Sequence, residues 1–446
     1  MITDMTKGTP ATVLWRFSMP LLLSMVFQQM YNIVDSIVAG RLIGENALAA
    51  VGASYPVTMI FMAVATGSNI GCSVVISQLF GAKNFRRMKT AVSTSLIAAL
   101  VLAAALTLGG FLVCGPLMRA MGTPDNIFGD AALYLKIYIG GLVFVFLYNM
   151  CTGAFTALGD SRTPLYFLIG SSLANIGMDL LFVAVFHMGV AGVAWATFLC
   201  QGLAGLLAAL ALHKRLKTVQ TDGAYPLFSW RELSHIAAIA VPSILQQSFV
   251  SVGNLFIQSL VNGFGSAVVA GYSAAVKLNT FAITSFSTLG NALSNFTAQN
   301  MGGGQTQRVR KGFRAGLLMT VCVAMPFLLA YTLFGGSMVR LFVTNPSAEA
   351  LTEGVRFLRI VAPFYCVICI KLMADGVLRG AGSMTYFMVA TFGDLVLRVI
   401  LAYALSPVFG AAGIWMSWPI GWVLAAVLSM GFYLRGVWLP RSAKKR

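Results

Sequence analysis

The amino-acid sequence predicts an all-α integral membrane protein, with twelve transmembrane helices in two six-helix lobes related by a pseudo-twofold axis along the membrane normal. The composition is 58% hydrophobic and only 10% charged, whereas a soluble domain carries about 25% charged residues. Apolar runs of roughly 20 residues, the length that spans a bilayer as a helix, recur along almost the whole chain. The two halves also share short motifs at a nearly constant separation. Composition, spacing and repetition therefore all indicate the same architecture.

Matching motifs indicate an internal duplication. GRLIG at 40–44 corresponds to VNGFG at 261–265, and SQLFG at 77–81 corresponds to AQNMG at 298–302, both at an offset of 221 residues. Each half carries an even number of apolar runs, so both halves should insert with the same topology. Transporters use such parallel repeats to place a site between two moving halves.

The distribution of charge predicts the orientation in the membrane. The net charge is +17, and the basic residues cluster in alternate loops and at the C-terminus. Because cytoplasmic loops carry the excess of Lys and Arg, both termini are expected in the cytoplasm. This alternation argues against nucleic-acid binding. We expect four regions: an N-lobe at 1–211, a cytoplasmic linker at 212–234, a C-lobe at 235–435 and a basic cytoplasmic tail at 436–446.

A polar stripe interrupts the first apolar run. Ser24, Gln28, Asn32 and Asp35 follow one another at spacings of four, four and three residues, so they fall on one helical face. A charge inside the hydrocarbon region costs about 2.5–3.5 kcal/mol on insertion scales and is by default a functional-site candidate. The stripe is therefore expected to face a bundle interior or a water-filled cavity.

The fifth and sixth apolar runs carry further polar side chains. Asn175 and Asp179 lie four residues apart, and Thr197 follows on the next run. Their counterparts in the second half at an offset of 221 are apolar or aromatic: Val396, Ile400 and Trp418. Oxygen ligands of this kind suit Na⁺, and neighbouring buried carboxyl groups suit H⁺. The residues alone also allow the alternative that Asp35 and Asp179 do not share a site and that each has a structural role in helix packing.

The second half has intramembrane charges of its own. Lys371, Asp375 and Arg379 occupy one face of the tenth run, and Asp394 and Arg398 form a similar pair on the eleventh. An acid flanked by cations at spacings of four is more often a structural ion pair than a ligand site.

Other chemistries find little support. The glycines at 302–304 lack the Lys-Ser/Thr ending of a phosphate loop, and no Ser-His-Asp or His-x-x-x-His arrangement exists. Cys366 and Cys369 lie inside an apolar run and are expected to be ordinary buried cysteines. We therefore do not expect an enzyme, and we expect no cofactor other than a coupling ion.

Several motifs together resemble the MATE (multidrug and toxic compound extrusion) family, most closely the prokaryotic branches with an acidic first half. Pro20 is followed fifteen residues later by Asp35 within FQQMYNIVDSIVAGRLIG. Further similar segments are SQLFGAKN at 77–84, TALGDSRTP at 156–164, LANIGMDLLF at 173–182, GVAGVAWAT at 189–197 and LRGAGS at 378–383. The resemblance covers essentially the whole chain.

The resemblance implies a cation-coupling site for H⁺ or Na⁺ at Asp35, Asn175 and Asp179, with Thr197 as the matching hydroxyl. It also implies that the first helix bends at Pro20 when the site changes its protonation state. Some relatives pair a glutamate of the seventh helix with an acid of the tenth. The seventh run here reads PSILQQSFVSVGN and has no acid, which puts a second ion site in the C-lobe in doubt.

The expected function is a secondary active antiporter that exports organic, cationic and amphipathic compounds in exchange for H⁺ or Na⁺ by alternating access. Gln28, Asn32 and Asp375 are candidates for the substrate cavity. The expected partners are small drug-like molecules and membrane lipid, and the protein is expected to be a monomer in a bacterial or archaeal inner membrane. The main alternative is a lipid-linked oligosaccharide flippase of the same superfamily. An ion channel and a membrane-embedded enzyme fit the residue pattern less well.

Overall fold

The computed structural model describes residues 2–38, 43–221, 223–342 and 347–440, and within these ranges it contains helices and turns but no strand. The α-helices are α1 (Pro10–Val38), α2 (Glu45–Gly81), α3 (Phe85–Ala120), α4 (Asp125–Gly140), α5 (Leu142–Ala157), α6 (Arg162–Leu180), α7 (Gly189–Lys217), α8 (Trp230–Asn262), α9 (Ser266–Gly302), α10 (Thr306–Leu333), α11 (Gly335–Arg340), α12 (Ala348–Val361), α13 (Tyr365–Gly380), α14 (Met384–Phe409) and α15 (Ala411–Leu434). A π-helical turn, Leu181–Val185, extends α6, and a short 3₁₀ turn, Ala362–Phe364, joins α12 to α13.

These helices supply the predicted membrane spans. In the described part of the chain, ten helical segments are long and apolar enough to cross a bilayer, and the pair α4 and α5, bent by 48°, makes an eleventh. The 37-residue helix α9, which carries several buried asparagine and serine side chains, supplies the twelfth. The all-α, twelve-helix prediction in two six-helix halves is therefore confirmed.

Glycines set the closest helix contacts. In the helices that carry the first half and the start of α8, a Cβ on Gly71 of α2 would lie only 2.6 Å from the Cβ of Ala240 on α8. In the second half, a Cβ on Gly376 of α13 would lie 2.6 Å from the carbonyl oxygen of Gly290 on α9. Membrane helices associate through such small residues because lipid supplies no hydrophobic driving force between them.

The chain forms two compact units. The first contains Met1–Asp4 and Met19–Ile244, and the second contains Met5–Ser18 and Leu245–Arg446. The division therefore falls inside α1 and inside α8, rather than in the loop between α7 and α8. The predicted lobe boundaries remain an expectation that this division does not test.

Each unit has its own apolar core. In the first unit, Val57, Phe61 and Leu135 belong to a cluster contributed by α2, α3, α4 and α5. In the second unit, a larger cluster of aromatic residues includes Tyr365 and Trp415, both fully buried. These cores hold together the spans that carry the buried polar residues.

The segment between α7 and α8 is shorter than predicted. Because α7 continues to Lys217 and α8 begins at Trp230, the connection between the two helices is shorter than the range 212–234. It is held on the first unit, where Arg86 Nε donates to the Ala224 carbonyl oxygen at 3.1 Å and the Ser229 N–H donates to Thr94 Oγ1 at 3.0 Å. The polar composition that indicated a linker continues into the ends of both helices, where the charged side chains reach water.

Candidate functional site

Asn175 and Asp179 form a buried hydrogen-bonded pair in the first unit. Both lie on α6, one turn apart, and their exposed fractions are 2% and 0%. With the amide orientation assigned from its neighbours, the Asn175 side-chain nitrogen donates to Asp179 Oδ2 at 3.0 Å. The predicted shared helical face is therefore present, and the carboxylate is shielded from bulk water.

The Asn175 amide also connects α6 to two other helices. Its nitrogen donates to the hydroxyl oxygen of Tyr31 on α1 at 3.3 Å, and its oxygen accepts from the backbone N–H of Thr197 on α7 at 3.1 Å. The buried Thr197 Oγ1 has no hydrogen-bond partner among the described residues. One amide thus joins three spans, and the predicted hydroxyl lies beside it.

Asp35 and Asn32 belong to the helical part of α1, but their side chains lie outside the described residues. By sequence spacing, Asp35 follows Tyr31 by one helical turn. The predicted participation of Asp35 in the site therefore stays a prediction. Gln28 is described and is exposed on α1.

Pro20 lies inside α1, close to the division between the units, which falls between Ser18 and Met19. A proline here has no N–H to offer the carbonyl oxygen of Arg16. One turn later, Ser24 Oγ donates to the Pro20 carbonyl oxygen at 2.8 Å, a type of side-chain bond that often bends helices. The local chemistry of α1 is therefore suited to bending at this point.

Two local features fix the position of Asp179. The π-helical turn starts two residues later, with the Phe186 N–H donating to the Leu181 carbonyl oxygen at 3.0 Å, and π-bulges are frequent at functional sites. At the other end of α6, Arg215 of α7 donates to Asp160 at 3.1 Å. The two helices that carry Asn175 and Thr197 are thereby tied together at this end of α6.

The start of α6 owes its geometry to the buried carboxylate of Asp160. Asp160 Oδ1 accepts from the Thr163 N–H at 3.1 Å, and Oδ2 accepts from the Thr163 hydroxyl at 2.9 Å. Burial acts to raise the pKa of Asp160, but hydrogen bonds to the carboxylate, including those from Thr163, hold it below its ordinary value of 3.8. The carboxylate therefore stays charged and keeps capping the helix at neutral pH.

A small pocket opens beside Thr197. Its wall includes Tyr134 and Tyr138 of α4, Phe198 and Gln201 of α7, and the break between α4 and α5 at Gly141. A Cβ on Gly141 would lie 3.1 Å from the ring of Phe198. Sequence reasoning missed these tyrosines and Tyr31, because an aromatic ring in an apolar run is usually a packing residue and only its hydroxyl marks it out.

In the second unit, Asp375 is fully engaged by neighbours. Lys371 Nζ lies 3.1 Å from its Oδ2, and Ser429 Oγ donates to its Oδ1 at 2.6 Å. Arg379 instead donates to Asn291 Oδ1 at 2.7 Å. The Lys371–Asp375 pair matches the predicted structural ion pair, and a direct role of Asp375 in substrate binding stays a prediction.

Comparisons with known proteins agree on one family. A sequence model of the MatE family matches residues 20–181 and 242–404, one segment in each half. The chain is 28% identical over 439 residues to the probable multidrug resistance protein YpnP of Bacillus subtilis, covering 98% of this chain and 97% of that protein. It is 28% identical over 441 residues to the probable multidrug resistance protein YoeA of the same organism, covering 96% and 94% of the two chains.

A solved structure shows the same fold. The outward-facing conformation of a multidrug resistance MATE family transporter of the MOP superfamily superposes with a TM-score of 0.92 at 24% identity, covering 98% of both chains. The two segments matched by the family model correspond to the two repeats found in the sequence.

Proposed function

Because the chain belongs to the MatE family of membrane transporters, we propose that it is a secondary active multidrug efflux antiporter, which exports organic, cationic and amphipathic compounds in exchange for H⁺ or Na⁺ by alternating access. The names of its Bacillus subtilis relatives, probable multidrug resistance proteins, support drug-like substrates. The flippase alternative is not favoured, since these relatives cover nearly the whole chain.

The observation that carries this proposal is the buried Asn175–Asp179 pair. A carboxylate held inside a membrane bundle is stabilised by a bound cation or by protonation. The oxygens of Asp179 and Thr197 are the described groups to which H⁺ or Na⁺ would bind, and the predicted participation of Asp35 would complete the donor set. Such hard oxygen ligands suit Na⁺.

The same amide offers a route from ion binding to movement. Asn175 contacts Asp179 on α6, Tyr31 on α1 and the backbone of Thr197 on α7. When Asp179 takes up a cation, that cation competes with the Asn175 amide for the carboxylate oxygen. The amide then reorients, and its hydrogen bond to the Tyr31 hydroxyl breaks and forms again in a new geometry. The helix α1 then changes its position and bends at Pro20. The ion shifts this equilibrium only by as much as it prefers one conformation.

Transport by purified protein in lipid vesicles tests the proposal. Vesicles loaded with a cationic dye are given either a pure pH gradient or a pure Na⁺ gradient, and dye movement is followed. We expect Asp179→Asn to abolish the dependence on the coupling ion while the protein stays folded. The matched control is Asp130→Asn, the same change at an exposed acid of α4 in the same unit.

Two results would contradict the proposal. One is gradient-driven efflux by Asp179→Asn at the rate of the unaltered protein. The other is dye movement that neither gradient drives. Ion-dependent efflux by the control and its loss in the variant would support it, and the two gradients would identify the coupling ion.

A further inference from the structure

Turn glycines give a structural alignment of the two repeats on these spans. Gly159 and Gly382 both have positive φ, of 72° and 77°, and precede α6 and α14. Counting sixteen residues from each leads to Asn175 in the first unit and Arg398 in the second. The residue expected from the 221-residue offset, Val396, is 54% exposed, whereas Arg398 is 6% exposed. The buried counterpart of Asn175 is therefore a cation.

The partner helices match as well. Gly189 and Gly410 have φ of 57° and 62° at the start of α7 and α15. Eight residues further on stand Thr197 and Trp418. Asn175 contacts Thr197 in the first unit, and the guanidinium carbon of Arg398 lies 4.7 Å from the ring centre of Trp418 in the second. The equivalent contact is thus a neutral hydrogen bond in the first unit and a cation–π contact in the second.

Arg398 forms no salt bridge with the described residues. It lies near the middle of α14, which is 26 residues long, so it sits at the depth of the bilayer centre. The expected ion pair with Asp394 is not formed, and among the described residues Arg398 makes no hydrogen bond. A guanidinium group offers five N–H donors. A buried charge of this kind is normally paired.

Other donors on α14 and α15 are also unused. Trp418 Nε1 and Thr391 Oγ1 are buried and have no hydrogen-bond partner among the described residues. One oxygen of Asp394, Oδ1, is likewise without a partner there and presses against α15, where a Cβ on Gly421 would overlap it. Arg398 and the Trp418 N–H beside it therefore both lack an acceptor, and a buried donor without an acceptor is costly. The surroundings call for an acceptor-rich group.

We propose that Arg398 and Trp418 form a binding site for the carboxylate group of a transported compound. The planar guanidinium matches a carboxylate through two parallel hydrogen bonds, and the indole N–H supplies a further donor. The aromatic surroundings of Trp418, which include Phe357 at 5.7 Å between ring centres, favour an organic anion. The site would bind the carboxylate of a compound that carries one, and this inference rests on the proposed transport function.

The other buried cations of the second unit do not supply the same site. Lys371 is neutralised by Asp375 at 3.1 Å. Arg379 lies at the end of α13, is bonded to Asn291 and lies over the ring of Phe387. Arg379 keeps one unpartnered donor, Nε, but among the described residues Arg398 is a buried cation near the middle of a span with neither a salt bridge nor a hydrogen bond.

A pair of dyes that differ in one carboxylate tests the inference. Rhodamine B is a zwitterion with a free carboxylate, and rhodamine B ethyl ester is its cationic ester. Binding of each dye to the purified full-length protein is measured by fluorescence polarisation, independently of transport. We expect the acid to bind about tenfold or more tightly than the ester, since hydrogen bonds to a charged group are worth that much.

Substitutions test whether the preference for the acid dye over the ester depends on Arg398 and Trp418. Arg398→Gln is expected to bring the ratio of the two dissociation constants to about one, and Arg398→Lys to an intermediate value, because a lysine has no planar fork. Trp418→Phe, which keeps the ring and loses the N–H, is expected to lower the ratio about threefold and serves if Arg398→Gln does not fold. The control Arg356→Gln changes a half-exposed arginine of the same unit and should leave the ratio unaltered.

The outcomes separate this inference from the proposed function. Equal binding of the two dyes by the unaltered protein, or a ratio that survives Arg398→Gln, overturns the carboxylate site. Arg398-dependent binding without dye export from vesicles contradicts the transport proposal and leaves the binding site standing. Export of both dyes with no dependence on Arg398 overturns the site and leaves the transport proposal standing.

Discussion

Pro20 offers the sharpest test of how α1 moves. Replacing it with alanine gives the Arg16 carbonyl a backbone N–H partner and removes the clash of the proline ring with that carbonyl. Alanine is favoured over proline by about 3 kcal/mol in a helix interior, and one restored hydrogen bond contributes about 1 kcal/mol. Pro20→Ala should therefore stabilise a straight α1 over a bent one by about 1–3 kcal/mol.

If α1 must bend during each transport cycle, that stabilisation slows the cycle. A difference of about 1–3 kcal/mol corresponds to a reduction in the transport rate of about 5- to 150-fold. The rate is measured as dye efflux from vesicles at saturating ion gradient. Hydrogen–deuterium exchange of the α1 amides checks independently that the helix has been stabilised.

The matched control is Pro326→Ala, which changes a proline inside α10, a helix that lies wholly within the second unit. It should protect the amides of its own helix and leave the transport rate within about twofold of the original. Full-speed transport by Pro20→Ala, in a protein whose α1 amides exchange more slowly than before, would refute the reasoning.

Two further predictions concern α6. Asn175→Leu removes the hydrogen bonds to Asp179 and Tyr31, so we expect a loss of ion-dependent efflux and a destabilisation of about 1–3 kcal/mol; unchanged ion dependence of dye efflux would count against the network. Asp160→Asn weakens the bond from Arg215 and the helix cap, so its unfolding temperature should be lower at pH 7. Because the pKa of Asp160 is below its ordinary 3.8, the stability that its charge contributes is present above about pH 4 and is lost as the pH falls below that value. Thermal unfolding curves of the variant and the unaltered protein should therefore converge in acid, and a constant gap down to pH 2 would show that the charge is not the cause.

The membrane-helix architecture could be predicted from local sequence patterns, because those patterns depend on few assumptions. Apolar runs and sparse charge require membrane helices, since a bilayer leaves the backbone no other way to satisfy its hydrogen bonds. The spacing of Asn175 and Asp179 required one helical face, and the structure places them in one hydrogen-bonded pair. The part of the site contributed by Asp35 stays a prediction.

Boundaries were harder to place. Polar residues at 212–234 suggested a linker of that length, but α7 extends to Lys217 and α8 starts at Trp230. Charged side chains at helix ends reach water without ending the helix, so composition overestimates the loop.

By itself, the sequence determined that this is a twelve-helix transporter with a duplicated architecture and with acids inside its first half. Only the tertiary structure decided which side chains meet. It showed a hydrogen bond between Tyr31 and Asn175. It also showed that the residue equivalent to Asn175 in the second repeat is Arg398 rather than Val396. The reason is geometric: the turn glycines Gly159 and Gly382 are 223 residues apart, and the two-residue difference from the offset of 221 corresponds to more than half a turn of helix. The offset of 221 therefore points to the wrong face of this span. Burial and backbone angles show how the helix is rotated, and therefore that the buried position of α14 equivalent to Asn175 carries a positive charge.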